Sequence, residues 1–478
     1  MSVRRMLGNF ASVTVLRLGM AALGFGLFWV LSHQLPARQL GGFSVLMNTF
    51  FLLQTLPLLG LGVHLTREVA AQPTQRGALL GQALVFSAPW ALVLVLGVGL
   101  YGQWGSDPLL GTAHWLLGLA LLPTAYILVA ESALVGMEQV RPLTWVNLLE
   151  AAVRVAGSAL VVHRGGELSS VFAVFLLGRL LTAAVYLRLA TLPRIEWPTG
   201  RWQAWQALWR EAPPYLGLAV VTAATSRLDV LLVSRLQGLE AAGVYAAAAR
   251  LYEASQMVST MALVVIFPVL ARLFSTDPPA FAALLDRCLR WGLLLGVPAV
   301  LGVSSLMPWL VHLLYAPHLW ASAPVLQVLC VGTWLLALDQ LLSTTMLAAR
   351  AQRDDLGSML IGLLGLVLLL PALLPVLGLP GAAWAVVLAL AVRLAWRIRW
   401  AAQALGLPGL GVQSLRSALA AGAALSTHFG LQAHGLPVWQ ALPLALLAHT
   451  GLAVLLGAVH QGHRDDVQRL RQMREARP

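Results

Sequence analysis

Residues 215–270 read YLGLAVVTAATSRLDVLLVSRLQGLEAAGVYAAAARLYEASQMVSTMALVVIFPVL, two long apolar runs on either side of a short polar turn. A helix needs about 20 apolar residues to cross the roughly 30 Å of hydrocarbon in a bilayer. Both runs, Tyr215–Val233 and Val244–Leu270, are long enough. The stretch therefore predicts two membrane-spanning helices, although arginine and acidic residues within them are costly in hydrocarbon.

The composition of the whole chain agrees with this local pattern. The 478 residues are 59% hydrophobic and 10% charged, with a mean hydropathy of +0.79. A soluble domain carries about 25% charged residues, so the composition excludes a water-soluble fold. The net charge of +12 comes from arginines that lie between apolar runs and form no basic domain, and we therefore predict no binding of nucleic acid.

Further apolar runs extend the pattern to both ends of the chain, and they predict an all-α membrane protein of about fourteen transmembrane helices. Six runs precede residue 194: Phe10–Leu31, Phe43–Leu65, Ala78–Tyr101, Trp115–Val135, Trp145–Val162 and Val171–Leu189. Eight follow it: Tyr215–Val233, Val244–Leu270, Leu293–Leu314, Val325–Leu347, Leu356–Leu377, Ala382–Trp396, Leu415–Leu431 and Leu442–Val459. Cys288 and Cys330 have no metal-like spacing and predict neither a disulfide framework nor a zinc site.

These runs divide the chain into two six-helix lobes with an additional helix pair. A polar segment near the middle places Trp202, Trp205 and Trp209 at helical spacing, which is typical of an amphipathic interfacial linker. The predicted parts are an N-terminal lobe 1–193, the linker 194–212, a C-terminal lobe 213–400, a helix pair 401–463 and a basic tail 464–478.

The distribution of arginine predicts the orientation. With the N-terminus inside, 21 of the 31 arginines lie in cytoplasmic segments, and Arg38, Arg164 and Arg235 alone fall in outer loops. Arginine in short loops stays on the cytoplasmic side. We therefore predict a multi-pass protein of the bacterial inner membrane, in contact with lipid and with both termini and the linker in the cytoplasm.

A weak internal repeat relates the two lobes. A shift of 202 positions aligns Ser32 with Ser234, Gly41 with Gly243 and Phe43 with Tyr245. Six helices return the chain to its starting side, so the lobes must be parallel repeats about an axis along the membrane normal. Substrate sites in such folds lie between the lobes.

Seven arginines fall inside predicted spans, where each needs an acid, water or access to the interface. Arg393 and Arg416 lie near cytoplasmic ends and are expected to snorkel, whereas the position of Arg17 fits either snorkelling or burial. Arg154 follows Glu150 at i,i+4 and Arg250 precedes Glu253 at i,i+3, so structural ion pairs compete with a binding role for both.

Arg179 and Arg227 have no acid at i±3 or i±4, so their countercharge must come from elsewhere. An arginine-lined cavity would receive an anion, and phosphate matches the guanidinium fork best. Asp229 lies two positions after Arg227 and therefore points to a different face. Buried acids are candidates for proton or sodium coupling or for ion pairs, and the sequence assigns none of them: Glu131, Glu150, Asp229, Glu253 and Asp339.

We find no nucleotide-binding loop, metal-ligand spacing or catalytic constellation, and hence predict no enzyme, metal or cofactor. The motifs Ser226-Arg-Leu-Asp-Val-Leu-Leu-Val-Ser-Arg, Ala242-Gly-Val-Tyr and Phe267-Pro-Val-Leu instead resemble the polysaccharide transporter family of flippases. The opening of the chain resembles it as well, with Asn9, Arg17, Gly41-Gly-Phe-Ser and Leu59-Gly-Leu-Gly. That family belongs to a superfamily that also contains multidrug exporters and the lipid II flippase.

The resemblance implies an exporter that carries undecaprenyl-diphosphate-linked oligosaccharide from the inner to the outer leaflet by alternating access. It also implies that Arg17, Arg227, Asp229 and Arg250 line a cationic cavity for the lipid head group, and that glycosyltransferases and a glycan polymerase are candidate partners. The chain departs from the family in having no lysine, so sugar selectivity does not follow.

Two alternatives stay open at this stage. A multidrug or cation antiporter of the same superfamily would use the buried acids, but the excess of arginine argues against it. A membrane-embedded glycan polymerase or ligase would need a large outer loop, whereas the loops expected here have ordinary lengths of about a dozen residues or fewer.

Overall fold

A computed structural model describes residues 3–104, 107–189, 191–197, 201–406 and 408–457, and within some helices, residues 3–17 and 257–268 among them, it describes the backbone alone. These ranges contain fourteen α-helices and no strand. The helices are α1 (Val3–Gln34), α2 (Ala37–Leu53), α3 (Gly62–Ala71), α4 (Arg76–Trp104), α5 (Gly111–Gly136), α6 (Val140–His163), α7 (Leu168–Arg188), α8 (Arg201–Thr276), α9 (Pro278–Leu314), α10 (Ala323–Ala348), α11 (Gln352–Leu377), α12 (Leu379–Ala404), α13 (Pro408–Ala433) and α14 (Val438–Leu455).

The predicted all-α membrane fold is confirmed. Ten helical segments in the described residues are long and apolar enough to cross a membrane, and two shorter apolar helices lie at Leu18–Gln34 and Trp439–Leu455. One of the ten, Trp205–Gln256, has 52 residues and so contains material for two spans. The fourteen spans expected from the sequence are therefore an approximate count.

The prediction of one continuous helix over Phe43–Leu65 is wrong, because the chain breaks in the middle of that run. Helix α2 ends at Leu53, and Leu59 and Gly60 adopt left-handed backbone angles (φ 46° and 76°) before α3 begins. Pro57 lacks the N–H that a continuous helix requires. A Cβ on Gly60 would approach the Tyr215 carbonyl oxygen to 2.5 Å, so glycine permits both the turn and the close contact with α8.

Helix α8 is two helices joined at a kink. Gly238 has φ 87° and ψ 179°, which no residue in an α-helix adopts, and this break separates the two runs predicted at 215–233 and 244–270. Residues 201–212 of the expected interfacial linker are helical and form the first turns of α8. The indole rings of Trp202, Trp205 and Trp209 in this segment stack in parallel, and the ring of Trp209 stacks in turn on Trp90 of α4. Neighbouring ring centroids lie 5.3 to 5.5 Å apart.

The helices form two compact units. The N-terminal unit comprises Met1–Ala246 with Leu314–Leu319. In it, α5 packs against α3, α4 and α7, and α1 packs along α6. Phe86 of α4 and Val129 and Ala133 of α5 are buried in one apolar cluster, because both helices are apolar around most of their circumference.

The C-terminal unit comprises Ala247–Leu313 and Trp320–Pro478. Helices α11 and α12 form an antiparallel hairpin across Gly378, α10 packs on α12, and α13 pairs with α14. Val297 and Leu301 of α9 are buried against Ala424 and Ala445 of that last pair. The basic tail predicted at 464–478 lies outside the described residues, and the lobe limits predicted from the sequence stay a prediction.

Candidate functional site

Arg227 projects from α8 toward α2 within the N-terminal unit. Its Cζ lies 4.8 Å from the centre of the Phe51 ring, and its Nη1 donates to Asn48 Oδ1 at 3.5 Å, the outer limit of a hydrogen bond. The residue is half-buried, whereas Asn48 is buried at 4% exposure. An aromatic face and an amide oxygen thus hold this guanidinium in a position that is accessible in part.

Arg179 of α7 has its countercharge on the neighbouring helix. Its Nη1 lies 3.4 Å from Glu150 Oε2, and the other oxygen of Glu150 lies 3.8 Å from Arg154 Nη1. Both guanidinium groups also lie over aromatic rings: Arg179 is 5.2 Å from Phe50 and 5.7 Å from Phe175, and Arg154 is 5.6 Å from Phe175. Glu150, 8% exposed, is therefore shared between two half-buried arginines.

Glu131 of α5 lies in the same helix cluster and has neutral hydrogen-bond donors. Asn147 Nδ2 of α6 donates to Glu131 Oε1 at 2.8 Å, and the Tyr186 hydroxyl of α7 donates to the same oxygen at 3.4 Å. Tyr186 is fully buried and Glu131 is half-buried. The sequence indicated a buried acid at Glu131, but only the packing of three helices identifies its donors.

Asp229 accepts a hydrogen bond from a distant turn of its own helix. The Tyr245 hydroxyl donates to Asp229 Oδ2 at 2.9 Å, from beyond the Gly238 kink of the same helix. Farther along, in the C-terminal unit, Arg250 Nη1 lies 2.9 Å from Glu253 Oε2. The ion pair predicted from their i,i+3 spacing is thus present, on a partly exposed face with Glu253 36% exposed.

Asp339 lies at the centre of a buried ion cluster in the C-terminal unit. Arg393 Nε and Nη2 donate to its two oxygens at 3.0 and 2.6 Å, and Arg397 Nη1 lies 2.7 Å from Oδ2. Arg397 also donates to Asp355 at 2.7 Å and to Ser358 at 2.8 Å. Helices α10, α11 and α12 all contribute to this cluster.

The prediction that Arg393 snorkels is wrong, because it is 7% exposed and forms a two-bond pair with Asp339. Arg397, which the sequence placed in a cytoplasmic segment, is 2% exposed. The i,i+4 spacing of the two arginines on α12 is the signal that identifies them as members of one cluster, since it places them on the same helix face. Arg416 is exposed, as snorkelling requires.

The structure thus brings together Arg154, Arg179 and Arg227 with Glu131 and Glu150 in the N-terminal unit, and it places Arg250, Glu253 and Asp339 in the other unit. The side chain of Arg17 lies outside the described residues. Assignment of Arg17, Arg179, Arg227 and Arg250 as phosphate ligands stays a prediction. The described residues contain no group of three or more histidine, cysteine or acidic side chains that could hold a metal ion, and Cys288 and Cys330 are free thiols.

Comparison with known proteins gives a family match. A family model described as polysaccharide biosynthesis protein matches residues 6–274, which is more than half of the chain. That region contains every polar contact described above for the N-terminal unit. No curated protein matches the sequence.

Solved structures of transporters share the fold at low sequence identity. The structure described as the lipid II flippase MurJ, inward closed conformation, is 15% identical, with 98% of this chain and all of that chain covered and a TM-score of 0.65. An inward-facing multidrug resistance MATE family transporter of the MOP superfamily is 12% identical, with 84% and 98% covered and a TM-score of 0.68. An outward-facing transporter of that family gives 13% identity, 84% and 94% coverage and a TM-score of 0.55.

Proposed function

Because the chain belongs to the polysaccharide biosynthesis protein family and has the fold of multi-pass membrane transporters, we propose that it flips a polyprenyl-diphosphate-linked oligosaccharide across the inner membrane. The proposed direction is from the cytoplasmic to the outer leaflet, by alternating access. The carrier lipid is undecaprenyl diphosphate, as the sequence resemblance implies. Glycosyltransferases that supply the substrate and a polymerase that consumes it are the expected partners.

The observation that carries the proposal is the position of Arg227. Its guanidinium is half-buried against Asn48 and Phe51, two neutral groups of α2. A planar guanidinium binds phosphate through two parallel N–H donors, a geometry that ammonium groups lack. We therefore propose that this partly accessible guanidinium meets the diphosphate.

Two of the other candidate ligands, Arg179 and Arg250, form ion pairs with acids. Glu150 contacts both Arg179 and Arg154, and Glu253 pairs with Arg250. Removing a partner from a buried ion pair costs about 3–5 kcal/mol, so substrate would have to compete with Glu150 for Arg179. We propose that Arg227 binds the diphosphate directly and that Arg179 and Arg154 hold the positive potential around it.

The ion pairs of Glu150 and Asp339 argue against a drug or cation antiporter that uses these two acids. Such a protein would present carboxylates to an organic cation, but Glu150 and Asp339 are buried and each contacts two arginines. An organic cation would have to displace both.

A reconstituted system tests the proposal. Purified protein in liposomes should move fluorescent undecaprenyl-diphosphate-linked sugar between leaflets, as measured by the fraction that a membrane-impermeant quencher reaches, and the mass of the lipid should not change. Liposomes containing the Arg227→Gln protein serve as the control. Movement of a cationic dye without movement of the lipid would favour an antiporter, and a change in glycan length would overturn the transport assignment.

A further inference from the structure

We propose that Asn48 of α2 is a positioning residue for Arg227, and that its neutral amide keeps the site around Arg227 selective for an anion. The inference rests on the proposed function, because it concerns the guanidinium that is proposed to meet the diphosphate. It adds a residue that acts through this guanidinium and does not itself contact the lipid.

The amide of Asn48 has one orientation because both of its polar atoms have partners. Its Nδ2 donates to the Ser44 carbonyl oxygen, one turn earlier in α2, at 2.8 Å. With the nitrogen engaged in this way, Oδ1 accepts from Arg227 Nη1 at 3.5 Å. Asn48 is 4% exposed and Ser44 is fully buried, so water does not compete for the amide. The side chain therefore presents an acceptor to the arginine.

Helix α2 contacts the Arg227 guanidinium from two directions. Asn48 and Phe51 are three residues apart and so lie on the same side of the helix. The centre of the Phe51 ring lies 4.8 Å from Arg227 Cζ, and the Asn48 oxygen lies at the edge that carries Nη1. An aromatic ring favours the face of a guanidinium, whose N–H donors lie in its plane. One contact on the face and one at the edge together define the orientation of this planar group.

Close backbone contacts on either side of Arg227 fix the distance between α2 and α8. Gly41 of α2 faces Leu239 of α8, and Gly60, beyond the end of α2, faces Tyr215. A Cβ on either glycine would be too close to the carbonyl oxygen opposite. Arg227 lies midway between Tyr215 and Leu239 along the chain. Because these backbone atoms cannot move aside as side chains do, the short amide of α2 meets the guanidinium at a set distance.

The neutrality of Asn48 matters as much as its geometry. A carboxylate at this position would accept the same N–H, but it would also form an ion pair with the guanidinium, as Glu150 does with Arg179. A negative charge there would repel a phosphate from the same place. An amide accepts the hydrogen bond and adds no charge. Asn48 therefore orients Arg227 without contributing a countercharge of its own.

Binding of undecaprenyl diphosphate to the purified protein in phosphatidylcholine nanodiscs tests the role of charge. Asn48→Asp keeps the size of the side chain and should weaken the affinity about ten- to a hundredfold, the range that corresponds to one hydrogen bond to a charged group. Gln103→Glu, which adds the same charge at an exposed position of α4, should leave the affinity unchanged. Wild-type affinity in Asn48→Asp overturns the proposal.

A double-mutant cycle separates positioning from a general role in folding. Asn48→Leu keeps a similar volume and removes the acceptor, and it should weaken binding about two- to tenfold, as expected for one lost hydrogen bond. In the Arg227→Gln background the same change should have no further effect, because the group on which Asn48 acts is gone. An equal loss in both backgrounds overturns the proposal. Should Asn48→Asp fail to fold, this cycle decides alone.

Melting temperatures of the four proteins in the cycle, measured in detergent without lipid, separate this proposal from the flippase assignment. Asn48→Leu should lower the melting temperature of the wild type more than that of Arg227→Gln, because the two side chains contact each other. If the wild type binds no undecaprenyl diphosphate but the melting temperatures are coupled in this way, the flippase assignment fails and the positioning role stands. Additive changes in melting temperature overturn the positioning role.

Discussion

Gly41 of α2 and Gly243 of α8 meet backbone to backbone: a Cβ built on Gly41 would lie 2.9 Å from the Gly243 amide nitrogen, and it would overlap the Leu239 carbonyl oxygen. A Cβ on Gly243 would in turn overlap the Ala37 carbonyl oxygen. These two glycines are the pair that the 202-residue repeat aligns. The two glycines that the internal repeat aligns therefore contact each other, and each lacks the side chain that would overlap the backbone of the opposite helix.

Gly41→Ala should destabilise the N-terminal unit, because backbone atoms of Leu239 cannot move aside as a side chain would. Overpacking of this kind typically costs about 1–3 kcal/mol. Gly217→Ala on α8 is the matched control, since its Cβ would meet nothing within 4 Å and alanine favours the helix. Thermal unfolding in detergent should show a lower melting temperature for Gly41→Ala alone, and equal values would contradict the contact.

Arg227→Gln should fold and express at near-normal levels while lipid flipping falls about ten- to a hundredfold, because a hydrogen bond to a charged group contributes about 1.5–3 kcal/mol. Arg227→Lys should recover part of the rate, since ammonium lacks the planar fork. Exposed Arg399 supplies the control, Arg399→Gln. Normal flipping by a well-expressed Arg227→Gln protein would rule out the ligand role.

Asp339→Asn should reduce the amount of folded protein, because it leaves Arg393 and Arg397 buried with Asp355 as their remaining acid. The expected cost is about 3–5 kcal/mol. Size-exclusion profiles and melting temperatures measure it, with Arg416→Gln as an exposed control. A stable Asp339→Asn protein that fails to transport would instead assign this acid to coupling.

Arg38 should stabilise the fold, and this contribution should change with pH only under acidic conditions. Its guanidinium, 2.6 Å from Asp107, holds the pKa of that carboxyl below its usual range. A lowered pKa contributes stability above the unfolded value of about 3.9, and the contribution is lost as pH falls through the folded pKa. The small difference in melting temperature between wild type and Arg38→Gln should hold from pH 8 to about 5 and vanish in stronger acid; a change near neutrality would contradict it.

The predicted topology places the segment around Thr199 in the cytoplasm and Glu167 outside. In a background that lacks Cys288 and Cys330, an impermeant thiol reagent applied to intact cells should modify Glu167→Cys and spare Thr199→Cys. Permeabilised cells should show modification of both. Labelling of Thr199→Cys in intact cells would show that the orientation is the reverse of the one predicted.

The sequence by itself determined that the chain lies in a membrane, that it is helical and that it has spans near 215–270, because long apolar runs have one stable arrangement in lipid. It also located the repeat that relates Gly41 to Gly243. These features depend on composition and spacing along the chain, which the sequence displays directly.

The tertiary structure alone decided which charges neutralise one another. Arg179 pairs with Glu150 and Arg393 with Asp339, and Glu131 accepts a hydrogen bond from the neutral amide of Asn147. In each case the two partners lie on different helices. Partners of this kind are separated by 16 to 54 residues, and no periodicity within one helix encodes them. Since a buried charge takes its role from its nearest countercharge, helix packing, and not helix sequence, distinguishes a structural arginine from one that is available to a ligand.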